Sequence, residues 1–160
     1  MTTLIDTALL DAVCAEAAAS PRRRKNHNLH ESDDAAAHRL LNAVQPDSYI
    51  APHRHLDPAK AETFVVLRGL MGLLIFDDAG NIVAAQKLGA GETATGVLGA
   101  DIPAGIWHAA VALQPDTVIL EAKAGPYRPL AAAERAPWAP AEDAPEAAVY
   151  LASLRARFGV

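Results

Sequence analysis

The chain has 160 residues, 51% of them hydrophobic, and its 19 acidic residues outnumber its 14 Lys and Arg to give a formal net charge of −5. This composition is typical of one globular domain with a substantial core, and it excludes a disordered chain. It also argues against nucleic acid as a partner, because nucleic-acid-binding proteins usually carry a basic surface, and no apolar run is long enough to span a membrane.

The N-terminal segment is predicted to form an amphipathic helix over residues 3–19. Apolar residues such as Leu4 and Ala8 recur at helical spacing until a proline ends the pattern. Asp6 and Asp11 interrupt what would be the apolar region of a signal peptide. We therefore expect no secretory signal and a cytoplasmic protein, in which the single cysteine excludes an internal disulfide.

A run of four basic residues, 22–25, follows the helix. We interpret it as a solvated loop, which is the more common state of so short a run, with a phosphate-binding patch as the alternative. Ser and Asp at positions 32–34 indicate a helix start, so we expect a short helix through about Leu41. His27 and His38 are expected at the surface.

From residue 49 onward the pattern changes to short strand-like runs separated by turns. The predicted strands cover residues 63–76 with a bend at 68–69, 82–88, a segment near Val97, 107–113 and 117–123. Short strands at close spacing with turns between them predict a β-sandwich or barrel.

The composition shifts again after residue 125, where prolines become frequent. We expect an ordered arm with Trp138 as a packing anchor, and then a helix over residues 144–158 with Asp143 as its N-cap. The chain is accordingly divided, within one compact domain, into an N-terminal helical and extended arm (1–44), a barrel (45–125) and a Pro-rich arm with the C-terminal helix (126–160).

Three histidines and one glutamate form a candidate metal site: His53, His55, Glu62 and His108. Because side chains alternate along a strand, His53 and His55 would project from one face. Glu62 falls where the chain would return, and His108 would close the cluster from a later strand. These ligands suit one divalent transition metal, iron, manganese, nickel or zinc, and we favour this interpretation over a coincidental pattern.

These residues lie in two segments that resemble the cupin motifs, 53–69 for the first motif and 103–108 for the second. The positions that match besides the four candidate ligands are Gly69, Pro103 and Gly105. There are two departures: six residues separate His55 from Glu62 where the family has three or four, and Ala112 stands where an Asn is expected. The resemblance implies a mainly β fold, a single cupin (jelly-roll) barrel with N-terminal and C-terminal helices.

A narrower resemblance extends over nearly the whole chain. The segments that are similar to the WbuC family of cupin-fold metalloproteins are residues 24–30, 49–55, 121–127 and 138–140. That family is associated with bacterial surface-polysaccharide gene clusters, so the resemblance implies a role in surface polysaccharide (O-antigen) biosynthesis. Homodimers are common among such proteins, and we expect one here.

Seven side chains are candidate substrate contacts: Arg24, Asn26, Asn28, His30, Tyr49, Arg68 and Glu121. The first four alternate along an extended segment and therefore share one face. Tyr49 has the parity of the first histidine ligand, and Arg68 has the parity of Glu62 and is expected near the rim. Glu121 and Lys123 share a face of the last strand, where an outward solvated pair is more common than an inward acid–base pair.

The sequence leaves three functions open. A metal-dependent enzyme acting on a small polar metabolite, such as a sugar or nucleotide sugar, is favoured, and an isomerase, epimerase or dioxygenase would fit the ligand set. A non-catalytic module that binds or senses a small molecule through its metal is the alternative. A metal-free relative that keeps only the fold is the least favoured, because the ligand set is intact.

Overall fold

A computed structural model describes residues 2–90 and 95–160. Its elements, in chain order, are α1 (Thr7–Ala19), β1 (Arg24–Asn28), β2 (Ala37–Val44), β3 (Glu62–Arg68), β4 (Leu70–Phe76), β5 (Ile82–Gly89), β6 (Gly99–Ile102), β7 (Trp107–Ala112), β8 (Thr117–Ala124), a 3-10 turn (Ala132–Glu134) and α2 (Ala147–Ala156). The described strands pair antiparallel throughout.

The strands form two sheets whose inner faces share one core. The first sheet has the order β1-β2-β8-β3-β6 and the second has the order β5-β4-β7. Val66 of the first sheet and Met71 and Leu88 of the second pack in the core between them. This architecture confirms the predicted mainly β fold, a single cupin barrel with a helix at each end of the chain.

The two helices cover the outer faces of the two sheets. Helix α1 buries Leu10, Val13 and Ala17, which lie three and four residues apart, against Leu41 and Val118 of the first sheet. Its N-cap is Asp6, whose side chain accepts a hydrogen bond from the backbone N–H of Leu9 at 2.9 Å.

The C-terminal arm and α2 cover the second sheet. Leu151 and Leu154 pack with Leu74 of β4 in one buried cluster. Trp138 packs edge-on against Trp107 with ring centroids 4.9 Å apart, which agrees with its predicted role as an anchor. Helix α2 begins at Ala147, later than predicted, because the preceding residues form turns.

The helix predicted through about Leu41 is wrong, because this segment contains strand β2. Its eight residues pair with β8 along their whole length, and five of them also pair with β1. Long-range pairing therefore overrides the local helix-start signal. His38 lies on this strand and is 4% exposed, so its predicted surface position is also wrong.

Two other local predictions differ from the structure. Arg24 is buried at the start of β1 and therefore does not belong to a solvated loop. The strand expected near Val97 is found at Gly99–Ile102, and part of the predicted segment lies outside the described residues. The division of the chain into three parts stays a prediction. In the described part of the chain, no helix is both long and apolar enough to cross a membrane.

Candidate metal centre

The backbones of His53 and His108 form two hydrogen bonds with each other. The N–H of His53 donates to the carbonyl of His108 at 3.0 Å, and the N–H of His108 donates to the carbonyl of His53 at 2.9 Å. This bridge is isolated, so the strand expected at residues 53–55 is reduced to one paired residue. Gly105, with a φ of +86°, donates its N–H to the carbonyl of His55 at 2.7 Å. The two cupin motifs therefore hold each other in place.

The C-terminal arm fixes the histidine segment from the other side. The carbonyl of Glu134 accepts a hydrogen bond from the N–H of Arg54 at 3.0 Å, and the carboxylate of Glu134 accepts one from the N–H of Leu56 at 2.8 Å. Further along, the N–H of Ala136 donates to the carbonyl of Pro52 at 3.1 Å. The backbone around both histidines is thus bonded to a distant part of the chain.

Three of the four predicted ligands converge, and the fourth, His108, lies beside Glu62. One ligand atom from each of His53, His55 and Glu62 lies within 4.8 Å of the other two. His108 Nε2 is 3.8 Å from a carboxylate oxygen of Glu62, and both residues are 2% exposed. The ring nitrogen Nε2 of His55 also contacts the Glu62 carboxylate. The structure therefore brings all four candidates together.

Hydrogen bonds set the tautomers of two of these histidines. The Nδ1–H of His53 donates to the carbonyl of Ala51 at 3.0 Å, and the Nδ1–H of His108 donates to the carbonyl of Ile106 at 2.9 Å. When neutral, both rings then carry the lone pair on Nε2. The Nε2 atom of His108 is buried and has no hydrogen-bond partner within the described residues. A metal ligand oriented through its other nitrogen has this arrangement.

Burial keeps these two imidazoles neutral at neutral pH, and polar neighbours keep the carboxylate of Glu62 charged. Burial lowers the pKa of His53, and burial together with the charge of His53 lowers the pKa of His108 to about 4. Burial raises the pKa of Glu62, but the hydrogen-bonding contact with His55 and the charge of Lys123 outweigh it and bring the pKa to about 2. Neutral imidazole and ionised carboxylate are the forms that bind metals.

A lysine lies beside the cluster. Lys123 is the partner of Glu62 across β8 and β3, and its ammonium is 3.3 Å from Glu62 and 2.7 Å from Glu121. Burial lowers the pKa of Lys123, but the two carboxylates outweigh that effect and raise it. Glu121 is 6% exposed. Of the two arrangements open for Glu121 and Lys123, the more common outward one is not found, and both side chains line the inside of the barrel.

Among the described residues, His53 lines three cavities. One, of about 390 Å³, lies against the C-terminal arm, and the other two are also lined by Lys123. The inner cavity, of about 200 Å³, lies between the sheets and is also lined by Asn26, Asn42 and Glu121. The outer cavity, of about 190 Å³, is bounded by His55 and by residues 123–130 except 125 and 129. A larger cavity of about 600 Å³ lies between the basic run and α2, away from the four ligands.

Residues 5–88 match the family model described as a domain of unknown function, DUF6016. The chain belongs to the DUF6016 family. No curated protein matches this DUF6016 chain in sequence.

Solved structures show the same fold at low sequence identity. KdgF from Halomonas sp. is 17% identical, with a TM-score of 0.50 over 68% of this chain and 84% of that protein. The conserved SPY1581 protein of unknown function from Streptococcus pyogenes is 14% identical, with a TM-score of 0.52 over 80% of this chain and 91% of that one. TT1209 from Thermus thermophilus is 16% identical, with a TM-score of 0.51 over 77% of this chain and 97% of that one. These likenesses support the fold alone.

Three of the predicted substrate contacts of the DUF6016 chain line the inner cavity: Arg24, Asn26 and Glu121. Arg24 donates to the carbonyl of Tyr49 at 2.9 Å and pairs with Glu142 at 2.5 Å, so its charge is already matched. Asn26 is exposed at the cavity mouth.

The other four lie outside the inner cavity. Asn28 is exposed, and the ring of His30 is stacked on that of His38 with centroids 3.9 Å apart. The hydroxyl of Tyr49 donates to the carbonyl of Pro140 at 2.9 Å, in the core beneath α2. Arg68 pairs with Asp11 of α1 at 2.7 Å, on the outer face of the first sheet.

Two residues of the DUF6016 site were not among the predicted contacts. The sequence indicates only that Lys123 shares a face of its strand with Glu121. Because Lys123 pairs with Glu62 across β8 and β3, its side chain lies on the same inward face of the sheet as Glu62. Asn42 lines the inner cavity, and its Oδ1 atom is buried without a partner among the described residues. Asn42 lies on strand β2, and the helix predicted in this segment gives no reason to place its side chain in a barrel.

Proposed function

We propose that this protein is a metal-dependent cupin in which His53, His55, Glu62 and His108 hold one divalent transition metal. The observation that carries this proposal is the buried Nε2 atom of His108, which has no hydrogen-bond partner among the described residues. The hydrogen bond from Nδ1 to the carbonyl of Ile106 orients the ring so that Nε2 lies near the Glu62 carboxylate. An unpaired buried polar atom is costly unless it binds something, and a metal ion would satisfy it. Three imidazoles and one carboxylate fit iron, manganese, nickel or zinc.

We infer that the protein acts as an enzyme on a small polar metabolite. A metal in such a site supplies a Lewis acid that polarises an oxygen of a ligand or lowers the pKa of a bound water. The chain itself supplies a shielded cavity, an ammonium on Lys123 and a carboxylate on Glu121 beside the four ligands. The inner cavity of about 200 Å³ is below the usual range of pockets for drug-sized ligands, which favours a substrate no larger than a small sugar over a nucleotide sugar.

The finer predictions remain part of this proposal. Residues 24–30, 49–55, 121–127 and 138–140 support a likeness to the WbuC family. With this likeness we propose a role in surface polysaccharide biosynthesis, a homodimer and a cytoplasmic location.

The second candidate function is a non-catalytic module that binds a small molecule. It is favoured by the salt bridges that already pair Lys123 with two carboxylates, because a side chain held in this way is suited to a fixed binding role.

Metal analysis tests the proposal. Protein purified without an affinity tag would be compared with the His53→Ala/His108→Ala double variant and with a His27→Ala control, in which the removed ring lies outside the cluster. We expect about one divalent ion per chain in the wild type and the control, and little in the double variant. Failure of the wild type to retain manganese, iron, nickel or zinc after reconstitution would contradict the metal site.

Activity separates the enzyme from the binding module. Once a ligand is identified, prolonged incubation with the metal-loaded protein should convert it, and His53→Ala should abolish turnover while the circular dichroism spectrum is preserved. Tight binding without any change in the ligand would support the non-catalytic alternative.

A further inference from the structure

The inner cavity is lined by charged side chains that do not balance one another and by a hydrogen-bond acceptor without a partner among the described residues. Its charged groups in the interior are Glu62, Glu121 and the partly buried Lys123, since Arg24 is matched by Glu142 and Arg22 is exposed. Two carboxylates and one ammonium leave one negative charge. A divalent metal at the cluster would change this to one positive charge, and a buried charge without a counterion is unfavourable. A ligand with one negative charge would balance the site.

The ammonium of Lys123 has room for a third partner. An ammonium carries three N–H donors. Within residues 2–90 and 95–160, Lys123 donates to two carboxylates, those of Glu62 and Glu121. The remaining donor is available to an anionic oxygen in the cavity, which Lys123 lines.

The acceptor is Asn42. Its Oδ1 atom is buried and unpaired among the described residues, and the residue lies opposite Asn26 on the neighbouring strand, so the two amides form the polar wall of the same cavity. A hydroxyl donor on a ligand would satisfy the carbonyl oxygen. The other side is apolar, with Phe64, Met71 and Ile119.

The size of the cavity limits the ligand. At about 30 Å³ for each water, a volume of about 200 Å³ corresponds to roughly six or seven water molecules. This is room for a few carbon atoms with their oxygens and excludes a nucleotide in the inner cavity.

We propose that the inner cavity binds a small hydroxycarboxylate, whose carboxylate faces Lys123 and whose hydroxyl donates a hydrogen bond to Oδ1 of Asn42. This inference rests on the proposed metal site, because the positive charge of the cavity depends on a bound divalent ion. It goes beyond that site by naming the chemical class of the ligand and the two side chains that select it.

Calorimetric titration with three related probes tests the inference. Glycerate carries both groups, propionate lacks the hydroxyls, and glycerol lacks the carboxylate. Zinc-loaded protein should bind glycerate more tightly than propionate by roughly tenfold, and glycerol should show no measurable binding. Metal-free protein should bind glycerate at least tenfold more weakly, because its cavity is negative. Equal binding of glycerate and glycerol, or no binding of glycerate to zinc-loaded protein, would overturn the proposal.

Three variants assign the contacts. Asn42→Leu should remove the preference for glycerate over propionate, and Lys123→Met should weaken both carboxylates by tenfold or more. Lys60→Met is the matched control, since Lys60 lines the outer cavity. If Lys60→Met weakens glycerate and Lys123→Met does not, the ligand lies in the outer cavity and the proposal is wrong. Asn42→Leu tests it independently if Lys123→Met fails to fold.

Zinc content measured on the same samples separates the two proposals. A protein that retains zinc but binds no carboxylate contradicts the hydroxycarboxylate inference and leaves the metal site standing. A protein that retains no zinc or other divalent ion contradicts the metal site and, with it, the charge on which the inference rests.

Discussion

Replacing Lys123 by Met should destabilise the metal-free protein, and bound metal should restore part of the loss. The ammonium lies 2.7 Å from Glu121 and 3.3 Å from Glu62, and both carboxylates are buried. With an effective dielectric constant of about 20, these pairs contribute roughly 6 and 5 kcal/mol of attraction before desolvation is counted. Removing one partner of a buried ion pair typically costs about 3–5 kcal/mol, because the remaining charge is left uncompensated.

A divalent ion at the four ligands would compensate Glu62 but not Glu121. We therefore expect the Lys123→Met variant to lose about 3–5 kcal/mol of unfolding free energy in chelator and about half of that with zinc bound. Urea denaturation followed by circular dichroism measures both values, each relative to the wild type in the same buffer.

The matched control for this experiment is Lys25→Met. Lys25 pairs with Glu16 at 2.8 Å, nearly the same separation, but both side chains are about half exposed. We expect a loss of no more than about 1 kcal/mol, unaffected by zinc. A loss in Lys123→Met as small as that in Lys25→Met would refute the reasoning, because burial would then have no effect on the cost.

Three further substitutions test the packing and the support of the site. Leu74→Ala should cost about 2–5 kcal/mol in urea denaturation because Leu74 is fully buried, whereas exposed Val149→Ala should cost less than about 0.5 kcal/mol; equal losses would contradict the core assignment. Gly99→Ala should cost about 1–3 kcal/mol, since its Cβ would lie 2.0 Å from the carbonyl oxygen of Phe64; an unchanged melting temperature would argue against this close approach. Glu134→Ala should weaken zinc affinity by roughly tenfold in a chelator competition, because its carboxylate holds the histidine segment; unchanged affinity would show that the segment is held without it.

The strands after residue 60 were predictable because their signals are local. Gly69 separates β3 from β4 with a φ of +76°, a conformation that glycine adopts readily, and the turn at residues 77–81 precedes β5. The four candidate ligands could also be selected from the sequence, since their spacing resembles two short motifs. Glu62 and Phe64 both line the inner cavity, as alternation along a strand requires of residues two positions apart.

The segment between helix α1 and residue 50 could not be predicted in the same way. Strand β2 exists because it pairs with β8, about eighty residues later in the chain, and no local pattern records such pairing. Arg68 has inward parity, but the register of β3 and β8 shifts between Val66 and Arg68, and Arg68 turns toward Asp11 instead. Buried salt bridges such as that of Lys123 with Glu121 are unusual, because Lys and Glu are mostly exposed in proteins. The residue types alone therefore favour side chains that point outward, which the structure does not have.

Strand β8 also has a consequence for the order in which the chain folds. In the first sheet it lies between β2 and β3, which have no other connection in that sheet. During synthesis, β2 and β3 therefore cannot be joined into one sheet until β8, which ends at residue 124, has left the ribosome. Lys123, which lies on β8 and pairs with Glu62, would reach the candidate metal ligands only then. We therefore expect a slow-folding protein whose nascent chain exposes unpaired strand edges.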